Sequence, residues 1–340
     1  MTVIHEIYGS DRVAITYGIN ICKARGNPIV FISLSSHSRA YSKIGSGLPY
    51  SIHVLSKLLE GKLTIGIEAG GFAQVGLIFE QHGFRVIPLS FDCMDHLVTE
   101  LAANAIQALY VTPSHRPSAK PLPYAARKQL LRWAADNNTY LIEDDYDGDF
   151  RYTGKTLPSL QSLDEHGSVV YIGTYSKAFT PALRMNYMVM PPQLHAKLPA
   201  IEYALASPSR IDQWAMQLFM ERGHWYRHVR KLRNLYRGKH AKLLTYLRCY
   251  LPHSLKVSEE AAGLFVEITV NAAVSEDDLV GLAANEDVIV YGPQNLSRPD
   301  NSEGATIYLG FGGLTDHEME QGVQLLARAW SNVFASRMHD

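Results

Sequence analysis

From about residue 44 to residue 190 the chain alternates apolar runs of strand length with amphipathic stretches of helical length. Few folds admit that alternation. Strands that take turns with helices pair again only after a crossover, which makes the sheet mostly parallel and lays helices over its faces. Strands are expected at 63–68, 85–89, 108–112, 139–144, 169–173 and 185–190, with helices at 48–60, 72–82, 94–103 and 124–137. In the last helix Leu130, Leu131, Trp133 and Ala134 recur among Arg127, Lys128, Arg132 and Asp136, the spacing of one buried face. Residues 193–247 read as long helices broken near Ala206-Ser207-Pro208-Ser209. Beyond about 250 come strands at 263–268, 288–291 and 306–311 and helices at 276–285 and 316–334, a smaller α+β unit. The run 294–304, rich in Asn, Ser, Pro and Asp, reads as a mobile loop. The expected class is α/β, a mostly parallel helix-covered sheet in residues 1–240 and a smaller C-terminal α+β domain in 241–340.

With 340 residues the chain is long enough for two domains. A net charge of −1 gives no pull towards nucleic acid or an anionic membrane. The cysteines, Cys22, Cys93 and Cys249, lie far apart and odd in number, which fits a reducing cytoplasm better than a disulfide framework or a zinc site. The N-terminus lacks a basic-then-apolar leader and no apolar run reaches ~18 residues, so neither secretion nor membrane spanning is expected.

Ligands of open parallel sheets gather beyond the carboxyl ends of the strands. One such end reads Val169-Val170-Tyr171-Ile172-Gly173-Thr174-Tyr175-Ser176-Lys177, with Arg184 following, and another reads Tyr140-Leu141-Ile142-Glu143-Asp144-Asp145-Tyr146. A lysine, hydroxyls, an arginine and an acid at neighbouring strand ends are what a protein needs to hold pyridoxal phosphate. The lysine takes the aldehyde, the carboxylate keeps the pyridine nitrogen protonated, and Thr174, Ser176 and Arg184 suit the phosphate. Tyr146 would donate to the ring's 3′ oxygen. The acidic run also fits a solvated turn, but not a calcium loop. Counting from Asp145, Phe150 stands where that loop needs glycine and Thr156 where it needs glutamate. No metal site is expected. Ser46-Gly47, opening a helix, is a second phosphate candidate. Phe72 suits either ring stacking or a core position, and His115 either the ring or a surface loop. The basic stretch 227–242 carries apolar residues at helical spacing and reads as an amphipathic helix with a solvated face.

Together these runs resemble fold-type I, aspartate-aminotransferase-like pyridoxal-phosphate proteins, and more narrowly the aminotransferase-like domain of MocR-type regulators of the GntR family. Tyr110-Val111-Thr112-Pro113-Ser114-His115, Ile142–Asp147 with Phe150-Arg151-Tyr152, Gly173–Lys177, Pro181–Arg184, Gly223-His224 and Arg227–Arg233 carry the resemblance. It implies Lys177 in a Schiff base, Asp144 on the pyridine nitrogen and Tyr146 on the 3′ oxygen. It also implies Thr174, Arg184 and Ser46-Gly47 on the phosphate, Phe72 stacked on the ring, and Tyr8 reaching a neighbour's phosphate across a homodimer. Two departures stand out. The winged helix-turn-helix of such regulators does not precede this part, so no nucleic-acid partner is expected. Tyr308 stands where many relatives place the arginine that clamps a substrate carboxylate, which turns attention to Arg298, Arg116 and Tyr308 itself.

The chemistry implied is that of a transferase acting on an amino acid or related amine. The freed Lys177 amine removes the Cα proton, and the carbanion goes to transamination, elimination, replacement or cyclisation. The alternative is a domain that senses an amino-group effector without efficient turnover. A dead scaffold is disfavoured because Lys177 and Asp144 are both present.

Overall fold

The computed structural model describes residues 18–24, 27–33, 42–59, 63–114, 121–152, 157–202, 205, 208–252, 255–258, 262–271, 274–292 and 304–335. Its strands are β1 (Gly18–Ala24), β2 (Asn27–Ser33), β3 (Ser42–Gly45), β4 (Thr64–Glu68), β5 (Arg85–Leu89), β6 (Ala108–Val111), β7 (Tyr140–Asp145), β8 (Val169–Thr174), β9 (Asn186–Val189), β10 (Lys256–Val257), β11 (Phe265–Val270) and β12 (Ala305–Gly310). A seven-stranded sheet runs β3-β9-β8-β7-β6-β4-β5. Every pair from β5 to β8 is parallel, and β9 and β3 close one edge antiparallel. This is the mostly parallel sheet that the alternation predicts.

Period-two alternation in the strands decides what each face holds. Ile65, Ile67, Ala108, Tyr110, Ile142, Val170 and Ile172 pack beneath α1 (Leu48–Leu59) and α2 (Ala73–Gln81). Leu89, Leu109, Val111, Leu141 and Val169 face α3 (Met94–Ala103), α4 (Tyr124–Asp136) and the short α5 (Leu160–Leu163). Each fully buried Leu or Ile contributes about 1.5–3 kcal/mol, so slipping a strand by one residue is prohibitive. In β7, Leu141 and Ile142 lie on opposite faces. The acids that follow inherit that alternation.

A second core surrounds the three-stranded sheet β10-β11-β12. After the short helices α6 (Pro192–His195) and α7 (Leu198–Ile201) come α8 (Arg210–Glu221) and the long α9 (His224–Tyr250), which runs unbroken through residue 240. Leu243 and Leu247 of α9 join α10 (Glu276–Ala284) and α11 (Asp316–Ala329) in this core. Capping boxes at Ser275/Asp278 and Thr315/Glu318 start α10 and α11 where the sequence places them. The chain just past β7 is stitched to this unit. Arg151 bridges Ala262, Gly263 N–H donates to the Phe150 carbonyl at 2.9 Å, and Tyr152 Oη donates to the Gly263 carbonyl at 2.5 Å.

Several features differ from the sequence expectation, among them the short elements β3, β10 and α5, which it lacks, and the two four-residue helices α6 and α7, where it has long ones. The strand expected at 288–291 reduces to one bridge between Tyr291 and Tyr308, because Tyr291 alone pairs with the β12 edge. The closing helix breaks at buried Trp330, whose indole donates to the Leu279 carbonyl at 3.0 Å, and resumes as α12 (Ser331–Ala335). The antiparallel pair β1–β2 was not foreseen; Pro28 in its second strand weakens the sequence signal for a strand. The run 294–304 lies outside the described residues apart from Gly304. Among the described residues no helix is long and apolar enough to cross a membrane.

Arg127 of α4 ties this framework to the strand ends. Fully buried, it donates to the carbonyls of Leu122 at 2.9 Å, Pro158 at 3.0 Å and Pro113 at 2.6 Å, and its guanidinium lies 4.0 Å from Glu143. Those carbonyls belong to the segments that follow β6 and lead into α5. Arg127→Met removes the donors and leaves Glu143 buried without its cation, so urea denaturation should show a loss of ~3–5 kcal/mol with an unchanged m value.

Candidate active site

At the carboxyl end of β7 stand three consecutive acids, Glu143 and Asp144 buried and Asp145 partly buried, and each finds a different partner. Glu143, on the Leu141 face, accepts from the Leu160 and Gln161 N–H groups at 2.8 and 2.9 Å, capping α5. Its burial pushes its carboxyl up to about 7 despite those donors. Asp145, on the same face, accepts from Tyr171 Oη at 2.8 Å. Asp144 points to the other face and accepts from Tyr110 Oη at 2.5 Å. Burial raises the Asp144 carboxyl to about 7, while the Tyr110 hydrogen bond and the Lys177 charge pull it down.

Lys177 stands past β8 on the Asp144 side, its Nζ 4.3 Å above the centre of the Tyr146 ring. Burial lowers its pKa, and the charges of Asp147 and Asp144 oppose that only in part. A neutral amine, the nucleophilic form, is therefore reached at lower pH than for an ordinary lysine. Phe72, at the N-terminus of α2, meets the Tyr146 ring edge-on at a centroid distance of 5.1 Å and remains 41 % exposed. Its core alternative is therefore excluded. Lys177, Asp144, Tyr146 and Phe72 come together.

A second cluster forms where the sheet turns antiparallel. Asn186 of β9 pairs with Gly45 on one side and Thr174 on the other. Its Oδ1 accepts from Gly47 N–H at 3.1 Å and its Nδ2 donates to Ser51 Oγ at 2.7 Å, which fixes the entry into α1. Gly47 has φ +105°, and a Cβ there would lie 3.1 Å from Arg184 Nη2. Arg184 itself adopts a left-handed conformation, φ 45° and ψ 40°, at the turn into β9. A non-glycine residue there is costly, and such strain marks positions held for function. Thr174 Oγ1 accepts from the Ser176 N–H at 3.2 Å. Ser46, Gly47, Thr174 and Arg184 thus surround one strand residue, a helix start beside a guanidinium and a hydroxyl, suited to an anion.

Tyr308 of β12 lies opposite Glu267 and packs edge-on against Phe265 at 5.3 Å. It sits close enough to Tyr146 to help raise that phenol's pKa, after burial, Asp147, Asp144 and Glu68. Tyr8, His115, Arg116 and Arg298 lie outside the described residues. A cavity of about 100 Å³ lies beside this centre, lined by Asp145, Asp147, Tyr171 and Tyr187; it touches Tyr146 and Thr174, and neither Asp144 nor Lys177 lines it.

Two residues of the site were given no role from sequence. Asn186 is a polar residue in an otherwise apolar strand, a signal that was visible. Tyr110 reads as one more aromatic in the apolar run of β6, and nothing local reveals its partner.

Residues 42–297 match the family of class I and II aminotransferases. Over 295 residues the chain is 34% identical to the uncharacterised HTH-type transcriptional regulator YhdI of Bacillus subtilis, covering 86% of this chain and 63% of that protein. It is 26% identical over 290 residues to the probable rhizopine catabolism regulatory protein MocR of Rhizobium meliloti, covering 84% of this chain and 58% of that one. The chain thus spans about three-fifths of these relatives, the aminotransferase region. Among solved structures, the α-aminoadipate aminotransferase LysN of Thermus thermophilus, complexed with N-(5′-phosphopyridoxyl)-L-leucine, superposes with a TM-score of 0.77 at 22% identity, covering 88% of this chain and 79% of that chain. The kynurenine aminotransferase of Pyrococcus horikoshii gives 0.77 at 20% identity, covering 86% and 75%. At those identities the likeness shows the fold, that of fold-type I aminotransferases. With the family match covering most of its length, the chain belongs to the class I and II aminotransferases.

Proposed function

We propose that this protein is a pyridoxal-phosphate enzyme of the aminotransferase type, acting on an amino acid or related amine. The observation that carries the reading is the depressed, half-buried amine of Lys177 set over Tyr146 on the same side as the buried Asp144. The residues fit the cofactor on chemistry as well. An aldehyde requires a neutral amine, a pyridine nitrogen that must stay protonated requires a carboxylate, and a phosphate requires the cradle beside Gly47, which a Cβ would crowd. Bound there, pyridoxal phosphate supplies the electron sink that makes an α-proton acidic.

The chain's own residues do the rest. Lys177 Nζ would hold the cofactor by its aldehyde and, as a free amine, would remove and return the proton at the substrate's α carbon. Asp144 holds the proton at the ring nitrogen. Tyr146 orients the 3′ oxygen, and Ser46, Gly47, Thr174, Ser176 and Arg184 anchor the phosphate. Phe72 covers one ring face, and His115 borders the ring. Tyr308, Arg116 and Arg298 are the proposed substrate contacts. The same reading carries a homodimer, with Tyr8 reaching the partner's phosphate, and a cytoplasmic location.

The similarity to proteins named as transcriptional regulators favours a second reading, an effector sensor that captures an amine and releases little product. Mass spectrometry of products from the loaded protein with a panel of amino acids separates the two. Keto acid accumulating over many turnovers supports the enzyme; a stable bound adduct without product supports the sensor.

Borohydride reduction after loading should leave a covalent cofactor adduct on the wild type and none on Lys177→Ala; an adduct on the variant would overturn the role of Lys177. Because the Lys177 pKa is lowered, capture by the apoprotein should accelerate with rising pH through a midpoint below the ordinary lysine value of 10.5. Stopped-flow absorbance reads this, and a midpoint at the ordinary value would contradict the burial of that amine. Arg184→Ala should weaken cofactor binding by roughly ten- to a hundredfold in equilibrium titration, the scale of a lost charge-assisted hydrogen bond.

A further inference from the structure

Tyr110 occupies a place where a phenylalanine would fill the same volume. Its ring packs in the core beneath α1 and α2 with Ile67 and Ile142, and the residue is 3% exposed. Burying a hydroxyl there is costly unless the hydroxyl is used. Parallel pairing sets Tyr110 of β6 opposite Ile142 of β7, which puts it on the same face as Asp144, two residues further on. The hydroxyl reaches Asp144 Oδ2 at 2.5 Å, a charge-assisted bond between two buried groups, and leaves Oδ1 for a protonated ring nitrogen. Without a donor a carboxylate in this position takes up a proton, and a neutral acid loses its hold on a cationic ring.

We infer that Tyr110 is a positioning residue: its hydroxyl on Oδ2 aims Asp144 and favours its ionised form, and thereby sets how firmly the cofactor's ring nitrogen keeps its proton. This rests on the pyridoxal-phosphate reading above. The other groups acting on the pair are Asp145 and Asp147, which favour the neutral acid, Lys177, which favours the carboxylate, and Tyr146, which acts on Tyr110. None of them is altered by Tyr110→Phe.

The test uses Tyr110→Phe and Asp144→Asn, singly and together. The first readout needs no cofactor: carbon-detected NMR of the apoprotein, with Asp144→Asn identifying the Asp144 carboxyl signal. Tyr110→Phe should raise its titration midpoint by about one pH unit or more. The second is the pH titration of the loaded protein's visible absorption. Tyr110→Phe should displace that midpoint and weaken cofactor binding about tenfold, and neither effect should recur in the Asp144→Asn background. A lower melting temperature with both titrations unmoved would reduce Tyr110 to packing and overturn the inference. If the apoprotein titration moves but the loaded protein's does not, the link to the ring nitrogen is wrong. A wild type that takes up no pyridoxal phosphate would sink the cofactor reading itself, while the carboxyl titration would still judge the Tyr110–Asp144 pair.

Discussion

Three adjacent carboxylates withdrawn wholly or partly from water at the end of one strand are the constraint around which this molecule is arranged. A strand sends successive side chains to opposite faces, so Glu143 and Asp145 go one way and Asp144 the other. Each needs donors or it takes up a proton. Glu143 spends its oxygens on the backbone of α5 and stands near Arg127, which in turn holds the segments flanking the site. Asp145 uses Tyr171 of the next strand. Asp144 uses Tyr110 of the strand on the other side. The first two arrangements tie neighbouring segments to the strand end; the third holds Asp144 within electrostatic reach of Lys177 and Tyr146. One run of sequence thus serves as helix cap, strand-to-strand tie and chemical group.

The anion cradle depends on a different feature, the switch from parallel to antiparallel pairing at β8–β9. A parallel neighbour would need a crossover over a sheet face, whereas here residues 175–185 loop back to the same end of the sheet and place Arg184 two residues before Asn186, the partner of Thr174. The left-handed backbone at Arg184 accommodates that return, and Gly47 leaves room for the guanidinium. The stitching of Phe150-Arg151-Tyr152 to Ala262-Gly263 carries the three-stranded sheet to the same opening and brings Tyr308 towards Tyr146.

Much of the architecture was legible because it is written in short periods. Apart from the unexpected short α5, the strands and helices from β4 to β9 fall within a residue or two of their expected bounds, since hydrophobic alternation marks them locally. The failures are equally physical. The strand expected at 288–291 had the right composition, but a strand exists only where a partner edge runs alongside it, and here the partner is met at one residue. Trp330 looked like one more apolar position of a long helix; its burial and its bond to α10 break that helix.

The sequence by itself determined the kinds of chemistry available: a lysine, acids, hydroxyls and an arginine at strand ends, in an order that only an α/β sheet gathers into one place. Tertiary structure alone decided which of them act together. Tyr110 and Asp144 are 34 residues apart, and Gly47 and Asn186 are 139 apart. Whether such groups meet depends on strand order, direction and register, which are settled by the summed burial of two sheet faces and leave no mark on the residues beside them.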